Sequence, residues 1–130
     1  MSESEGLKVA KAVGVGGVFL KARDPKGLSA WYAAHFGITP GDGGSLFFAG
    51  PESEGMTVFA HFPQDTKYFG EGAQQAMVNF RVNHLDQFLA QLSDAGVRID
   101  PKREDHEYGR FAWIWDPEGN RVELWEPSAE

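Results

Sequence analysis

The chain contains no cysteine in its 130 residues. Disulfides, thiolate metal sites and cysteine nucleophiles are therefore excluded, and a reducing compartment suits such a composition. Basic residues are also few, with 12 Lys and Arg against 19 Asp and Glu and a net charge of −7. Because nucleic-acid binding needs a basic surface, we expect no nucleic-acid partner. No apolar run has the length of a signal peptide or a membrane span, so the sequence predicts a cytoplasmic protein with no membrane partner.

Short motifs for phosphate binding and for nucleophilic catalysis are also missing. Gly14, Gly16 and Gly17 precede a predicted strand, whereas a dinucleotide-binding glycine loop precedes a helix. No nucleophile-elbow motif is present. Aromatic residues, in contrast, are abundant, with 10 Phe, 4 Trp and 3 Tyr. Since large aromatic side chains line apolar pockets as well as cores, this composition favours one compact domain with a binding cavity.

A strand followed by an amphipathic helix occurs twice along the chain. The first predicted strand covers 18–23, and its helix begins at Asp24-Pro25, an N-cap followed by proline at the first helical position. Gly37 ends this helix as a C-terminal cap. Apolar residues at helical spacing form its stripe: Leu28, Trp31, Tyr32 and Phe36.

The second copy follows at an offset of 60 residues. Its strand covers 78–83, and its helix is predicted to begin at Asn83, with Asp86 three residues later as a variant of the capping box. Gly96 ends this helix. An internal repeat of this kind predicts two related structural units.

Further strands complete each half of the repeat. They are predicted at 45–48 and 56–63 in the first half, and at 110–115 and 121–127 in the second. Asp116-Pro117-Glu118-Gly119 predicts a type I turn that joins the last two as a hairpin. The predicted fold is α+β, with two tandem βαβββ modules forming a curved mixed sheet around a cavity and the helices outside. The predicted boundaries are a flexible tail at 1–12 and one domain at 13–130, comprising module one at 13–63, a linker with an aromatic anchor at 64–75, and module two at 76–127.

Three stretches of the sequence resemble the vicinal oxygen chelate superfamily, which includes glyoxalase I, extradiol dioxygenases and bleomycin-resistance proteins. They are Val18 to Gly37, Phe80 to Gly96 and, most specifically, Trp115 to Glu126. The resemblance covers about Val15 to Pro127. It implies paired βαβββ modules, a homodimer and a small-molecule ligand, but it does not fix a reaction, because the superfamily includes several chemistries and pure binding.

The resemblance also locates the four positions at which metal enzymes of this superfamily place their ligands. Carried over to this chain, they are Gly17, Phe59, Met77 and Glu123. Only Glu123 can bind a divalent cation, whereas Zn²⁺ or Ni²⁺ needs about three His or carboxylate ligands. We therefore expect no bound metal and no other cofactor.

Strand alternation predicts which side chains accompany Glu123 in a cavity. Arg121 and Trp125 share its face, and pairing across the hairpin places Trp113 opposite Glu123. The carboxylate has two interpretations: a general base whose pKa is raised by surrounding aromatic rings, or a structural relic paired with Arg121 or Arg81. The complete set of predicted ligand-binding residues is Phe19, Phe59, His61, Asn79, Arg81, Tyr108, Trp113, Arg121 and Trp125.

Three functions are compatible with the sequence. The first is a metal-independent small-molecule-binding protein of the glyoxalase/bleomycin-resistance type, acting in resistance or sequestration. The second is a lyase or isomerase similar to lactoylglutathione lyase, with Glu123 as general base. The third is an interaction subunit with a vestigial cavity. The lost metal ligands and the aromatic residues favour the first, and the sequence names no ligand. For His61, a hydrogen-bonded core histidine and a catalytic role both stay open.

Overall fold

The computed structural model describes residues 10–41, 45–48 and 56–128. Its elements, in chain order, are β1 (Ala12–Ala22), α1 (Pro25–Phe36), β2 (Thr39–Pro40), β3 (Leu46–Phe48), β4 (Thr57–Pro63), β5 (Ala76–Val82), α2 (Leu85–Asp94), β6 (Arg98–His106), β7 (Gly109–Trp115) and β8 (Arg121–Pro127). The predicted α+β class and the two successive βαβββ modules are confirmed. Neither helix in the described part of the chain is long and apolar enough to cross a membrane.

The chain divides into two compact units. The first unit comprises Gly16–Val78, and the second comprises Asn79–Glu130 together with the N-terminal residues up to Val15. In the first unit the strand order is β2-β3-β4-β1, with β4 parallel to β1 and antiparallel to β3. In the second it is β5-β8-β7-β6, with β8 parallel to β5 and antiparallel to β7. Each parallel pair is joined through a helical crossover, as parallel strands require.

Strand β1 begins six residues earlier than the sequence predicted. The strand starts at Ala12, and Ala10 is already buried. The backbone of Lys11 exchanges hydrogen bonds with Asn83, whose N–H donates to the Lys11 carbonyl and whose side-chain oxygen accepts from the Lys11 N–H. Residues 10–12, which the sequence prediction assigned to the tail, are therefore held by contacts with the rest of the chain, and residues 1–9 lie outside the described part.

Helix α1 begins and ends where the sequence predicted. The Asp24 carboxylate accepts a hydrogen bond from the Gly27 N–H at 3.0 Å, and Pro25 occupies the first helical position. Gly37 closes the helix with φ = 68°, a left-handed conformation that glycine adopts without a Cβ penalty.

Helix α2 begins at Leu85 with His84 at the N-cap position, one residue after the predicted N-cap Asn83, and its cap comes from elsewhere in the chain. Asn83 is engaged with Lys11, and His84 adopts a left-handed conformation with φ = 48° and makes no side-chain cap. The Leu85 N–H instead donates to Glu126 Oε1 at 2.9 Å. The sequence pattern missed this cap because Glu126 belongs to β8, 41 residues away.

Two strands were absent from the sequence prediction. Strand β2 is only two residues long. Strand β6 carries mostly charged side chains and Pro101, so it shows no apolar alternation. Among the described strands it pairs with β7 alone, and it has a register shift between Ile99 and Arg103. Charges, proline and bulges are typical of edge strands, where they oppose pairing with other chains.

The hairpin formed by β7 and β8 has the predicted register. Trp113 lies opposite Glu123, and Phe111 lies opposite Trp125. In the connecting turn, the Gly119 N–H donates to the Asp116 carbonyl, and the Asp116 carboxylate accepts from the N–H groups of Glu118 and Asn120. Hydrogen bonds from the Asn120 side chain and backbone hold the pKa of Asp116 below its ordinary value. The Asp-Pro-Glu-Gly motif thus fixes the position of Glu123 on β8.

Candidate functional site

The two faces of the second unit's sheet differ in chemistry. One face packs under α2 through buried residues of β5, α2, β7 and β8: Val82, Leu85, Ala112 and Leu124. Because side chains alternate along a strand, Glu123 and Trp125 point to the opposite face. We call this opposite side the non-helical face and define it by five buried residues: Asn79, Trp113, Arg121, Glu123 and Trp125.

Glu123 is held by two neutral donors on neighbouring strands. Its side chain is 2% exposed. The Asn79 amide on β5 donates to Oε2 at 2.6 Å, and the Trp113 indole on β7 donates to Oε1 at 2.9 Å. Each carboxylate oxygen therefore accepts from a different strand, which orients Glu123 and offsets part of the cost of its burial.

Asn79 carries an unsatisfied acceptor next to this carboxylate. Its Oδ1 is buried and has no hydrogen-bond partner among the described residues. The Nδ2 group is occupied by Glu123, so the amide orientation is fixed by its own hydrogen bond. A buried acceptor without a partner costs free energy, so a donor from water or a ligand would stabilise this position.

Trp125 is locked against the turn between β6 and β7. Its indole N–H donates to the Tyr108 carbonyl at 2.9 Å, and its ring stacks on Phe111 with centroids 6.0 Å apart. Gly109 makes this approach possible: its φ is 141°, and a Cβ there would lie 2.4 Å from the indole nitrogen. An apolar, rigid wall results at this end of the non-helical face.

Arg121 forms an ion pair on the same face. Its guanidinium donates to Asp100 on β6 at 2.9 Å and lies 5.0 Å from the centre of the Trp113 ring. Partial burial acts to raise the pKa of Asp100, but hydrogen bonds from the Lys102 backbone and from Arg121 hold it below its ordinary value. Arg81 donates to the Val15 carbonyl at 2.8 Å. The Asp100 and Val15 partners of the two arginines were not identified from the sequence.

Tyr108 stands at the margin of the second unit's sheet, in the turn between β6 and β7. Its ring is exposed and stacks on His106, with centroids 5.0 Å apart. His106 in turn contacts Glu104, whose pKa is lowered by hydrogen bonds from His106 and Lys102. The pair therefore adds a solvent-accessible aromatic surface beside Phe111.

The register of the first unit corrects one alignment made from sequence. Phe19 pairs with Ala60, and its repeat equivalent Asn79 pairs with Glu123, so Ala60 stands at the position equivalent to Glu123. The alignment that placed Phe59 there is wrong by one residue. Since a one-residue shift reverses the face, Phe59 and His61 point toward α1 rather than to the face that corresponds to Glu123.

The structure shows this helix-side location directly. The Tyr32 ring on α1 packs edge-on against Phe59 at 4.9 Å and stacks on His61 at 5.5 Å. Phe19 lies on the other side of β1 and β4, packed against Phe62 and Tyr68. Phe69, in the segment that connects β4 to β5, is buried. Of the predicted site residues, the structure therefore brings together those of the second unit, while Phe59 and His61 belong to a different surface.

A family model described as Glyoxalase/Bleomycin resistance protein/Dioxygenase superfamily matches residues 14–124. The chain belongs to this superfamily. No curated protein matches the sequence.

Several solved structures share the fold of this chain. Methylmalonyl-CoA epimerase from Mycobacterium tuberculosis is 23% identical with a TM-score of 0.66, covering 91% of this chain and 90% of its own. A Streptomyces coelicolor methylmalonyl-CoA epimerase variant with 2-nitronate-propionyl-CoA is 15% identical with a TM-score of 0.69, covering 92% and 100%. A superfamily member from Vibrio splendidus 12B01 is 10% identical with a TM-score of 0.57, covering 90% and 98%. At these identities the similarity shows the fold alone.

The superfamily's metal positions do not fit a metal in this chain. With the corrected register they are occupied by Gly17, Ala60, Met77 and Glu123. Three of these side chains offer no ligand atom suited to a hard or borderline cation. Both oxygens of the fourth accept hydrogen bonds from Asn79 and Trp113. In the described ranges, no three His, Cys, Asp or Glu side chains come together in a way that could hold a metal ion.

Sequence reasoning missed several residues that shape these surfaces. Asp100 was not identified because β6 was not recognised as a strand. Ser29, which contacts His61, was also not identified. The one-residue error in the alignment of β4 had placed His61 on the sheet face opposite α1. The internal repeat could have corrected the alignment of β4, because the parallel pairs β1–β4 and β5–β8 have equivalent registers.

Proposed function

We propose that this chain is a cytoplasmic, metal-independent small-molecule-binding protein of the glyoxalase/bleomycin-resistance type, acting in sequestration or resistance. The observation that carries the proposal is the anchoring of Glu123 by Asn79 and Trp113. Of the four residues at the superfamily's metal positions, only Glu123 has a side chain that could bind a metal. Its carboxylate instead accepts hydrogen bonds from the buried Asn79 amide and the buried Trp113 indole. Its role is to hold the wall of a binding site.

The non-helical face defines the chemistry of the ligand that we propose. Phe111, Trp125 and Tyr108 offer rings for an aromatic or apolar body. Asn79 Oδ1 can accept a hydrogen bond from a ligand donor, and the neighbouring Glu123 carboxylate favours a donor that carries a positive charge. The proposed ligand is therefore a small aromatic molecule with an N–H group, of which a protonated amine is the simplest case.

A second candidate function is a lyase or isomerase that uses Glu123 as general base. It is favoured by the deep burial of this carboxylate between two neutral donors, since a buried carboxylate is a common form of catalytic base. The fold that the chain shares with proteins named as methylmalonyl-CoA epimerases fits an isomerase of this kind. Methylglyoxal–glutathione hemithioacetal is the corresponding lyase test substrate.

Two cationic probes test the binding proposal. Benzylamine and trimethylbenzylammonium carry the same charge and ring, but only benzylamine has N–H donors. We expect calorimetry to show benzylamine binding that EDTA leaves unchanged, and trimethylbenzylammonium binding at least about tenfold weaker, equivalent to about 1.4 kcal/mol. Phe111→Leu should weaken benzylamine binding, whereas Phe36→Leu, an exposed position on α1, should not.

Three results would overturn the proposal. Equal binding of both probes would show that Asn79 Oδ1 does not accept a hydrogen bond from the ligand. Loss of benzylamine binding in EDTA would show that binding requires a metal ion. Turnover of the hemithioacetal that disappears in Glu123→Gln would place the lyase or isomerase function first.

A further inference from the structure

A separate cavity lies within the first unit, between α1 and the strands β2, β3 and β4. Its volume is about 550 Å³, within the range of small-ligand sites. Apolar side chains form much of its described lining: Pro25, Ala30, Ala33, Pro40 and Leu46. Ala30 and Ala33 lie on one face of α1, and their small side chains leave the space open.

The two units differ at two equivalent positions beside this cavity. In the second unit, Leu89 of α2 packs against the apolar core cluster to which the buried Leu124 of β8 belongs. The repeat offset of 60 places Ser29 at the position of Leu89, and the strand register places His61 at that of Leu124. The fold is therefore compatible with an apolar pair, and the first unit carries a polar pair in its place.

The polar pair is built into a defined geometry. Ser29 Oγ and His61 Nδ1 are 2.8 Å apart, and the imidazole is held between the Tyr32 and Phe59 rings. His61 Nε2 is buried without a hydrogen-bond partner in the part of the chain that the structure describes. Burial lowers the pKa of His61, so the ring is neutral near pH 7 and has one donor and one acceptor nitrogen.

Lys26 carries the only formal charge among the described lining residues when His61 is neutral. It is exposed in the first turn of α1, where the helix dipole also favours an anion. The nearby Asp24 carboxylate caps the helix through the Gly27 N–H. A ligand in this cavity therefore meets a cation at its rim, the Ser29 hydroxyl, and an apolar interior.

We propose that this cavity binds a small carboxylate with an aromatic or short aliphatic body. The carboxylate lies beside Lys26 and Ser29, and the apolar body packs against Ala33 and Leu46. All residues of this site belong to the first unit and to the helix side of its sheet. The proposal is thus independent of the function assigned to the non-helical face of the second unit, and each can fail alone.

Benzoate and its neutral analogue benzamide test the site by NMR titration of backbone amides at millimolar concentrations. We expect saturable shifts for benzoate that centre on Ser29, Ala33 and His61. Ala33→Leu fills the cavity and should raise the benzoate Kd at least about tenfold. The matched control Ala34→Leu changes an exposed residue on the same helix and should leave the Kd unchanged.

Two further variants separate charge from shape. Lys26→Ala should raise the Kd of benzoate about twofold to fivefold, as expected for an exposed ion pair, without affecting benzamide, and Lys67→Ala should affect neither. The double change Ser29→Leu with His61→Leu restores the apolar pair of the second unit, so it should fold and lose benzoate binding. Absence of saturable shifts, or benzoate binding that survives both Ala33→Leu and the double change, would overturn the proposal.

Discussion

Glu123 illustrates how one residue can keep its place while its chemistry changes. The superfamily resemblance places it at a metal-ligand position, and its two oxygens accept from Asn79 and Trp113. A carboxylate accepts from both donors at once, whereas a glutamine side chain has one oxygen and one NH₂ group. The residue therefore links three strands of the second unit through its charge and both of its oxygens.

We expect Glu123→Gln to lower the free energy of unfolding by about 1–3 kcal/mol, because one of the two buried donors would lose its acceptor. Urea unfolding measured against Glu118→Gln, an exposed change in the β7–β8 turn, checks this value. If both variants unfold at the wild-type midpoint, the two hydrogen bonds do not anchor Glu123.

His61 should make stability depend on pH. Its pKa in the folded chain is lowered by burial, so the unfolded chain binds a proton first as the pH falls. The stabilisation is complete above the ordinary histidine pKa of 6.5 and is lost as the pH falls through the lowered value. His61→Leu should flatten the decline in melting temperature between pH 7 and pH 5.

The matched control for this pH experiment is His84→Asn. It removes an exposed histidine, and asparagine tolerates the left-handed conformation at this position. The decline with pH should persist in this variant. A decline that is equal in the wild type and in His61→Leu would contradict the role of His61.

At the scale of elements, helix α2 depends on a strand for its first turn. Glu126 accepts from the Leu85 N–H and also contacts Arg110, which pairs with Asp86 of the same helix. The Asp86 hydrogen bond raises the pKa of Arg110, and the Arg110 hydrogen bond lowers the pKa of Asp86. The helix start is therefore set by tertiary contacts rather than by a local capping box.

Glu126→Ala should destabilise the chain by about 0.5–2 kcal/mol, the usual cost of losing a helix cap. Thermal unfolding compared with Glu107→Ala, an exposed change in the β6–β7 turn, measures the effect. Equal melting temperatures for the two variants would show that Leu85 needs no cap from β8.

The sequence predicted elements well where local chemistry defines them. Asp24-Pro25 and Gly37 marked α1, and the Asp116 turn gave the pairing of Trp113 with Glu123. It failed where the deciding contact is distant. Phe59 and Ala60 are both apolar, so alternation alone could not choose between them.

At the scale of the whole chain, the repeat shows how two copies of one fold can take different roles. The second unit packs an apolar core under α2 and places a carboxylate on its other face. The first unit has no carboxylate at the equivalent position and opens a cavity under α1 instead. Ala60 occupies the position equivalent to Glu123, and Ser29 and His61 form a polar pair at the positions equivalent to Leu89 and Leu124.

We also propose that the chain is a homodimer, as the superfamily resemblance implies. Trp31 and Phe36 on α1 are 47% and 63% exposed. Neighbouring exposed aromatic side chains of this kind are typical of a protein–protein contact surface. Light scattering should give twice the chain mass of 14.3 kDa. A mass of one chain across the micromolar range would contradict the dimer.

We propose that the anchored carboxylate of Glu123 has replaced the superfamily's metal site. The most direct measurement is the metal content per chain of untagged protein, together with its melting temperature in Ni²⁺, Zn²⁺, Mn²⁺ and Fe²⁺. A ligand that binds only the folded state must raise its stability. We predict negligible metal and unchanged melting temperatures in all four ions. About one metal per chain, with a rise in melting temperature that Glu123→Gln abolishes, would show that the metal site is retained and would identify Glu123 as a metal ligand.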